Sequence, residues 1–150
     1  MRRRIERWSR NHPNANAVLV VLLAIGLAAF AVVRLTQVWA GPLSLVLFAI
    51  GAAVGAVAAW LSYRAAYVQH WDVSPQLQTA LKTLQGVSAL AALAALRRWG
   101  PDWLVATSCG FVLVIGGWLI PGVLLARRLR LEDPAAADEL YERSQDVMRG

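Results

Sequence analysis

Long apolar stretches dominate the pattern of hydrophobic and polar positions along this chain. The first lies between Arg10 and Arg34, and its apolar part covers the 19 residues 15–33. As a helix it would rise about 28 Å, close to the roughly 30 Å hydrocarbon core of a bilayer. The pattern predicts a membrane helix over residues 14–34. A cleaved signal peptide is the alternative, but its apolar region would usually hold only about 7–15 residues.

Two further stretches predict membrane helices over residues 43–67 and 103–126. An uncharged run of 29 residues, 35–63, is interrupted near its start by Gly41-Pro42, so the helix should begin after that pair. The last stretch holds 24 uncharged residues after the turn at Gly100-Pro101, and Pro121 is expected to kink it. Each is long enough for one crossing, with tilt where the apolar length exceeds the bilayer thickness.

The third stretch is shorter, with only 14 uncharged residues between Lys82 and Arg97. That length also fits a re-entrant or interfacial helix. Ser74-Pro75 is a typical helix start, and a helix over residues 75–97 is long enough to cross if the Lys82 ammonium reaches the nearer headgroups. We therefore predict four spans rather than three.

The distribution of positive charge predicts the orientation of these spans. With four crossings, twelve of the fifteen basic residues fall on the side of the two termini and three on the other side. Basic residues are retained in the cytoplasm, so both termini should be cytoplasmic. Tryptophans at the span ends are the expected interfacial anchors: Trp8, Trp60 and Trp71 on the inner side, and Trp39, Trp99 and Trp103 on the outer side.

Composition excludes several classes of protein. Hydrophobic residues make up 58% of the chain and charged residues 16%, against about 45–50% and about 25% in soluble domains. A single cysteine excludes an internal disulfide, and His12, His70 and Cys109 are too few for a Cys/His zinc site. The arginines flank apolar runs, which favours membrane orientation over nucleic-acid binding. Fourteen of the fifteen basic residues are arginine, which with the abundant Ala, Leu, Val and Gly suggests a GC-rich bacterium or its phage.

Small residues on the second helix form a strip that predicts close helix packing: Ser44, Gly51, Gly55 and Ala59. In lipid, where no hydrophobic force pulls helices together, close backbone approach is a principal source of association. The strip could meet a helix of the same chain or one of another chain, and the sequence leaves both open.

The third helix carries a polar face formed by Gln78, Lys82 and Gln85, at spacings of four and three. A charge within a span is by default a functional hypothesis, here a polar pathway or a site for an anionic lipid headgroup. The simpler interpretation is that Lys82 lies near the inner headgroups. No acidic residue within the spans could balance the cation.

The sequence gives little support for catalytic or redox chemistry. Both histidines lie outside the spans, which excludes histidine-ligated transmembrane haem; only His70 could meet a quinone headgroup at the surface. Cys109 is expected to be a packing residue. The sequence holds no paired carboxylates, no nucleophile with a base and no phosphate-binding loop. We expect no catalytic residue, no metal, no cofactor and no enzyme activity.

These patterns together predict an all-α integral membrane protein. Residues 1–130 should form an antiparallel bundle of four transmembrane helices, and residues 131–150 an acidic cytoplasmic tail with a short helix starting at Asp133-Pro134. The tail could stay in solvent, dock on a cytoplasmic partner or pair with the basic N-terminus. The expected role is interaction in the bacterial inner membrane, as an accessory subunit or as a host or phage effector of infection. The expected partners are membrane lipids and another membrane protein or further copies of the chain. The alternatives are an oligomeric transporter of an anion or lipid-linked group, and a holin-like permeabiliser.

Overall fold

A computed structural model describes residues 11–67 and 74–149, and those residues form five helices. They are α1 (Pro13–Gln37), α2 (Pro42–Tyr67), α3 (Pro75–Arg97), α4 (Asp102–Glu132) and α5 (Pro134–Arg149). Helices α1 to α4 are each long and apolar enough to cross a membrane. The prediction of an all-α chain with four long apolar helices is therefore confirmed, and it indicates a multi-pass membrane protein.

Local sequence signals set the helix ends. The Ser74 hydroxyl accepts a hydrogen bond from the Leu77 amide at 3.3 Å, which caps the start of α3. Arg98 ends that helix in the left-handed region, at φ 51°. The Asp133 carboxylate accepts a hydrogen bond from the Ala136 amide at 3.1 Å and caps α5 where the sequence predicts its start. Pro121 lies inside α4, which runs on to Glu132, beyond the expected end at residue 126.

The bundle is organised around α4. Helices α1, α2 and α3 each pack on α4, while α1 and α2 do not pack on each other within the described residues. Small side chains on several sides of α4 allow this arrangement, since Ala106, Ser108, Cys109, Gly110 and Gly116 are all buried. A helix with small residues on more than one face can receive several neighbours at short range.

The outer surface of this arrangement is apolar. Leu22, Leu43 and Leu90 are each more than 60% exposed, and many other large apolar side chains are at least half exposed. Soluble monomers rarely expose apolar patches of more than a few hundred Å². Such a surface suits contact with lipid, in agreement with the four candidate spans.

Candidate functional site

The closest helix contact is the crossing of α2 and α4. A Cβ atom added to Gly51 would overlap the backbone carbonyl of Thr107, and one added to Gly110 would overlap the carbonyl of Phe48. Only glycine therefore permits this approach of the two backbones. The structure places the partner of the small-residue strip within the same chain.

The other strip residues divide between two roles. Gly55 faces α4, where an added Cβ would lie 3.1 Å from the carbonyl oxygen of Phe111. Ala59 is buried on the same helix. Ser44, also buried, holds the turn between α1 and α2, because its hydroxyl accepts a hydrogen bond from the Ala40 amide at 2.9 Å and donates one to the Val38 carbonyl at 3.5 Å.

Sequence reasoning missed the contact between α1 and α4. Ala17, Ala24 and Ala31 are the buried residues of α1, and a Cβ added to Gly116 of α4 would lie 3.6 Å from the Ala24 carbonyl oxygen. The signal was present as an alanine at every seventh position, the spacing that keeps one side of a helix against a neighbour. On α4, Ala106 and Gly110 at a spacing of four were a similar signal.

The predicted polar face of α3 points away from the core. Gln78 is half-buried, whereas Lys82 and Gln85 are exposed and the adjacent Leu81 is buried. Further along the same side lie Gly86 and Ala89, both exposed. We call Lys82, Gln85, Gly86 and Ala89 the outward face of α3. A Cβ added to Gly86 would meet no described atom within 4 Å.

An apolar groove opens between α2 and α3, with α4 as its floor. Both helices pack on α4 but touch each other little, so a space of about 570 Å³ remains between them. Residues of all three helices line it, among them Gly51, Val54, Val87, Ala91, Ser108 and Phe111. At one end the groove reaches Trp99 and Gly100, in the turn that joins α3 to α4.

Basic side chains gather at that end of the bundle, which we call the Arg34 end. The Arg34 guanidinium donates hydrogen bonds to the Leu96 carbonyl at 3.2 Å and to the Gln37 side chain at 2.8 Å, which ties α1 to α3. Arg98 lies 3.6 Å from the Asp102 carboxylate. Arg97 is exposed and forms no hydrogen bond or ion pair with any residue that the structure describes.

The opposite end of the bundle, the Arg130 end, carries α5. This helix contacts α2, α3 and α4, and the Arg130 guanidinium of α4 binds the Asp138 carboxylate at 2.5 Å. The Arg127 side chain donates a hydrogen bond to the Asn14 side chain at 2.6 Å, which joins the start of α1 to the last turns of α4. The tail helix is therefore docked on its own bundle.

Four of the six predicted tryptophan anchors lie within the described residues and are at least half exposed: Trp39, Trp60, Trp99 and Trp103. The Arg64 guanidinium lies 5.1 Å from the ring centre of Trp60. Trp8 and Trp71 lie outside the described residues, as does His70.

The described residues include Cys109 and most of the acidic side chains of the chain. They contain no group of three or more His, Cys, Asp or Glu side chains that could hold a metal ion. Cys109 is fully buried among apolar neighbours, where a thiol is a packing residue. The chemically distinctive features are thus the outward face of α3 and the groove.

Comparisons with known proteins give no relative. No protein-family model matches the chain, and no similar curated protein or solved structure was found.

Proposed function

We propose that this chain is a non-enzymatic protein of a bacterial cytoplasmic membrane that acts by binding another membrane protein or further copies of itself. Helices α1 to α4 cross the bilayer in alternating directions, and both termini are cytoplasmic. Two contacts support the alternation: Asn14 at the start of α1 meets Arg127 near the end of α4, and Arg34 near the end of α1 meets Leu96 near the end of α3. The excess of basic residues at the termini supports the orientation.

The proposal rests on the outward face of α3. It brings a cation, an amide and two small residues to the surface of a helix whose mean hydropathy is 1.3, against 2.2 to 2.8 for the other three. Polar side chains of membrane helices almost always face a bundle interior or a wet cavity. A polar surface facing outward from the folded chain therefore favours burial against a second protein.

The contact between α2 and α4 favours α3 over α2 as the helix that meets a partner. Gly51 and Gly55 already face α4, so the small-residue strip is not free for a partner. Gly86 and Ala89, by contrast, leave room for a second backbone to approach α3 closely. The partner helix should present a carboxylate or other acceptor at the depth of Lys82, which forms no ion pair within the described part of the chain.

Site-specific photocrosslinking in intact cells tests the proposal. A benzoylphenylalanine at Ala89 should give one discrete adduct, either with another membrane protein or at twice the 16.3 kDa of the chain. The matched control carries the same group at Ala29, an exposed position of α1, and should give only diffuse lipid adducts. Lys82→Ala should remove the Ala89 adduct. Equal adduct patterns from both positions would contradict the assignment of this face.

The same face would line the path of an oligomeric transporter, so flux must be measured as well. Purified chain in liposomes should carry no anion flux above that of empty vesicles, and its expression should leave the membrane potential of the cell intact. Flux that Lys82→Ala abolishes would favour transport instead. Collapse of the membrane potential on expression would favour a holin-like role.

A further inference from the structure

The groove between α2 and α3 has the depth of one bilayer leaflet. It runs from Val87, near the middle of α3, to Trp99 just beyond its end. The ten helical steps from Val87 to Arg97 rise about 15 Å, half of the roughly 30 Å hydrocarbon core. In the proposed orientation this is the half of the bilayer on the side opposite the termini.

The groove is wide enough for a hydrocarbon chain. A volume of 570 Å³ spread over about 15 Å gives a mean cross-section of about 40 Å². The lining is apolar along its length, with Val54, Val87 and Phe111 in its deeper half.

The mouth of the groove has the chemistry that a phospholipid headgroup requires. Trp99 lies at the mouth and is 64% exposed, as suits a ring at the headgroup level. Arg97 follows the groove-lining residues Leu90 by seven positions and Ala94 by three, so it lies at the edge of α3 that borders the groove. Its guanidinium is exposed and forms no ion pair with a described residue. A phosphate at the mouth could accept hydrogen bonds from this guanidinium.

We propose that the groove holds one acyl chain of an anionic phospholipid, with the headgroup phosphate at Arg97 beside Trp99. The assignment rests on the membrane insertion proposed above but not on the identity of any protein partner. The lipid would fill the gap that α2 and α3 leave over α4, and it would thereby stabilise the position of α3, which carries the outward face.

Lipid retention by the purified full chain tests the proposal. The chain is equilibrated with vesicles of equimolar phosphatidylglycerol and phosphatidylcholine, extracted in mild detergent and examined by native mass spectrometry. One phosphatidylglycerol per chain should be retained. Ala91→Phe places a ring in the groove and should reduce retention at least roughly tenfold. Ala49→Phe places the same ring at an exposed site of α2. Ala49 and Ala91 both lie about 10 Å from the Arg34 end of the bundle. This control variant should leave lipid retention unchanged.

The charge at the mouth is tested separately. Arg97→Gln should lower the preference for phosphatidylglycerol over phosphatidylcholine about fivefold, the effect expected of one basic residue near anionic lipid. Arg128→Gln removes a charge at the opposite end and should not change the preference. Equal retention of the two lipids by the unsubstituted chain would overturn the headgroup assignment.

A photoreactive phosphatidylglycerol with a diazirine on its acyl chain gives a test without substitutions. Its crosslinks to the unsubstituted chain should map to Val87, Ala91 and Phe111. Crosslinks spread evenly over the lipid-facing surfaces would overturn the proposal. A chain that never enters vesicles would instead refute the proposed membrane function, so the two failures are distinguishable.

Discussion

At the scale of single residues, glycine decides how closely α2 and α4 approach. The sequence predicted that Gly51 and Gly55 lie at a packing surface, because small residues at helical spacing form a flat strip. It could not show that Gly110 is the matching residue on α4, since that pairing depends on the relative position of two helices. Ser44, which the spacing placed on the strip, instead holds the turn before α2.

Replacing Gly110 with leucine should destabilise the bundle. The new side chain would overlap the Phe48 carbonyl, so α2 and α4 must separate. The free energy of unfolding should fall by at least about 1–3 kcal/mol. Unfolding in dodecyl sulfate, followed by circular dichroism, measures the loss. Gly117→Leu is the control on the same helix, because a Cβ there meets no described atom within 4 Å. Equal stability of the two variants would refute the glycine contact.

At the scale of elements, α3 and α5 show where the sequence was ambiguous. The short apolar run of α3 left a partial crossing open, and the structure gives a helix of 23 residues that is apolar enough to span. The start of α5 followed from Asp133 and Pro134, but its docking on α2, α3 and α4 did not. An ion pair between α4 and α5 accompanies the docking, and the sequence alone does not show which of many charges pair.

Breaking the ion pair between Arg130 and Asp138 should loosen α5. The Arg130 side chain is only 22% exposed, so its pair should be worth about 1 kcal/mol, near the upper end for ion pairs at a surface. Arg130→Ala should therefore raise amide hydrogen exchange in α5 about fivefold. The control variant Arg128→Ala loses the ion pair between Arg128 and Glu132, whose side chains are both well exposed. Hydrogen exchange in α5 should therefore stay unchanged in this control. Unchanged exchange in Arg130→Ala would mean that apolar contacts alone hold α5.

At the scale of the whole molecule, the arrangement around α4 creates both candidate sites. Because α2 and α3 pack on α4 and hardly on each other, a groove remains between them. Because α3 uses Leu81, Ala94 and Ala95 for packing, its side with Lys82 is left facing outward. A bundle with four equivalent helix contacts would have closed the groove.

The proposed topology predicts a pattern of cysteine labelling. In a Cys109→Ser background, cysteines introduced at Thr36 and Pro101 should react with an impermeant maleimide added to intact spheroplasts. A cysteine at Glu142 should react only after lysis, since α5 is expected in the cytoplasm. All three positions are exposed in the folded chain, so burial does not explain a difference. Labelling of Glu142→Cys in intact spheroplasts would indicate an odd number of crossings.

The sequence by itself determined the number, approximate bounds and apolar character of the four long helices, because chain length and hydrophobicity are local quantities. It also fixed the caps that begin α3 and α5, which depend on a few neighbouring residues. Only the tertiary structure decided that α4 lies at the centre, that the glycines of α2 face it, and that a groove and an outward polar face remain. These features arise from contacts between distant segments, where several helices with similar small-residue patterns compete for the same neighbours.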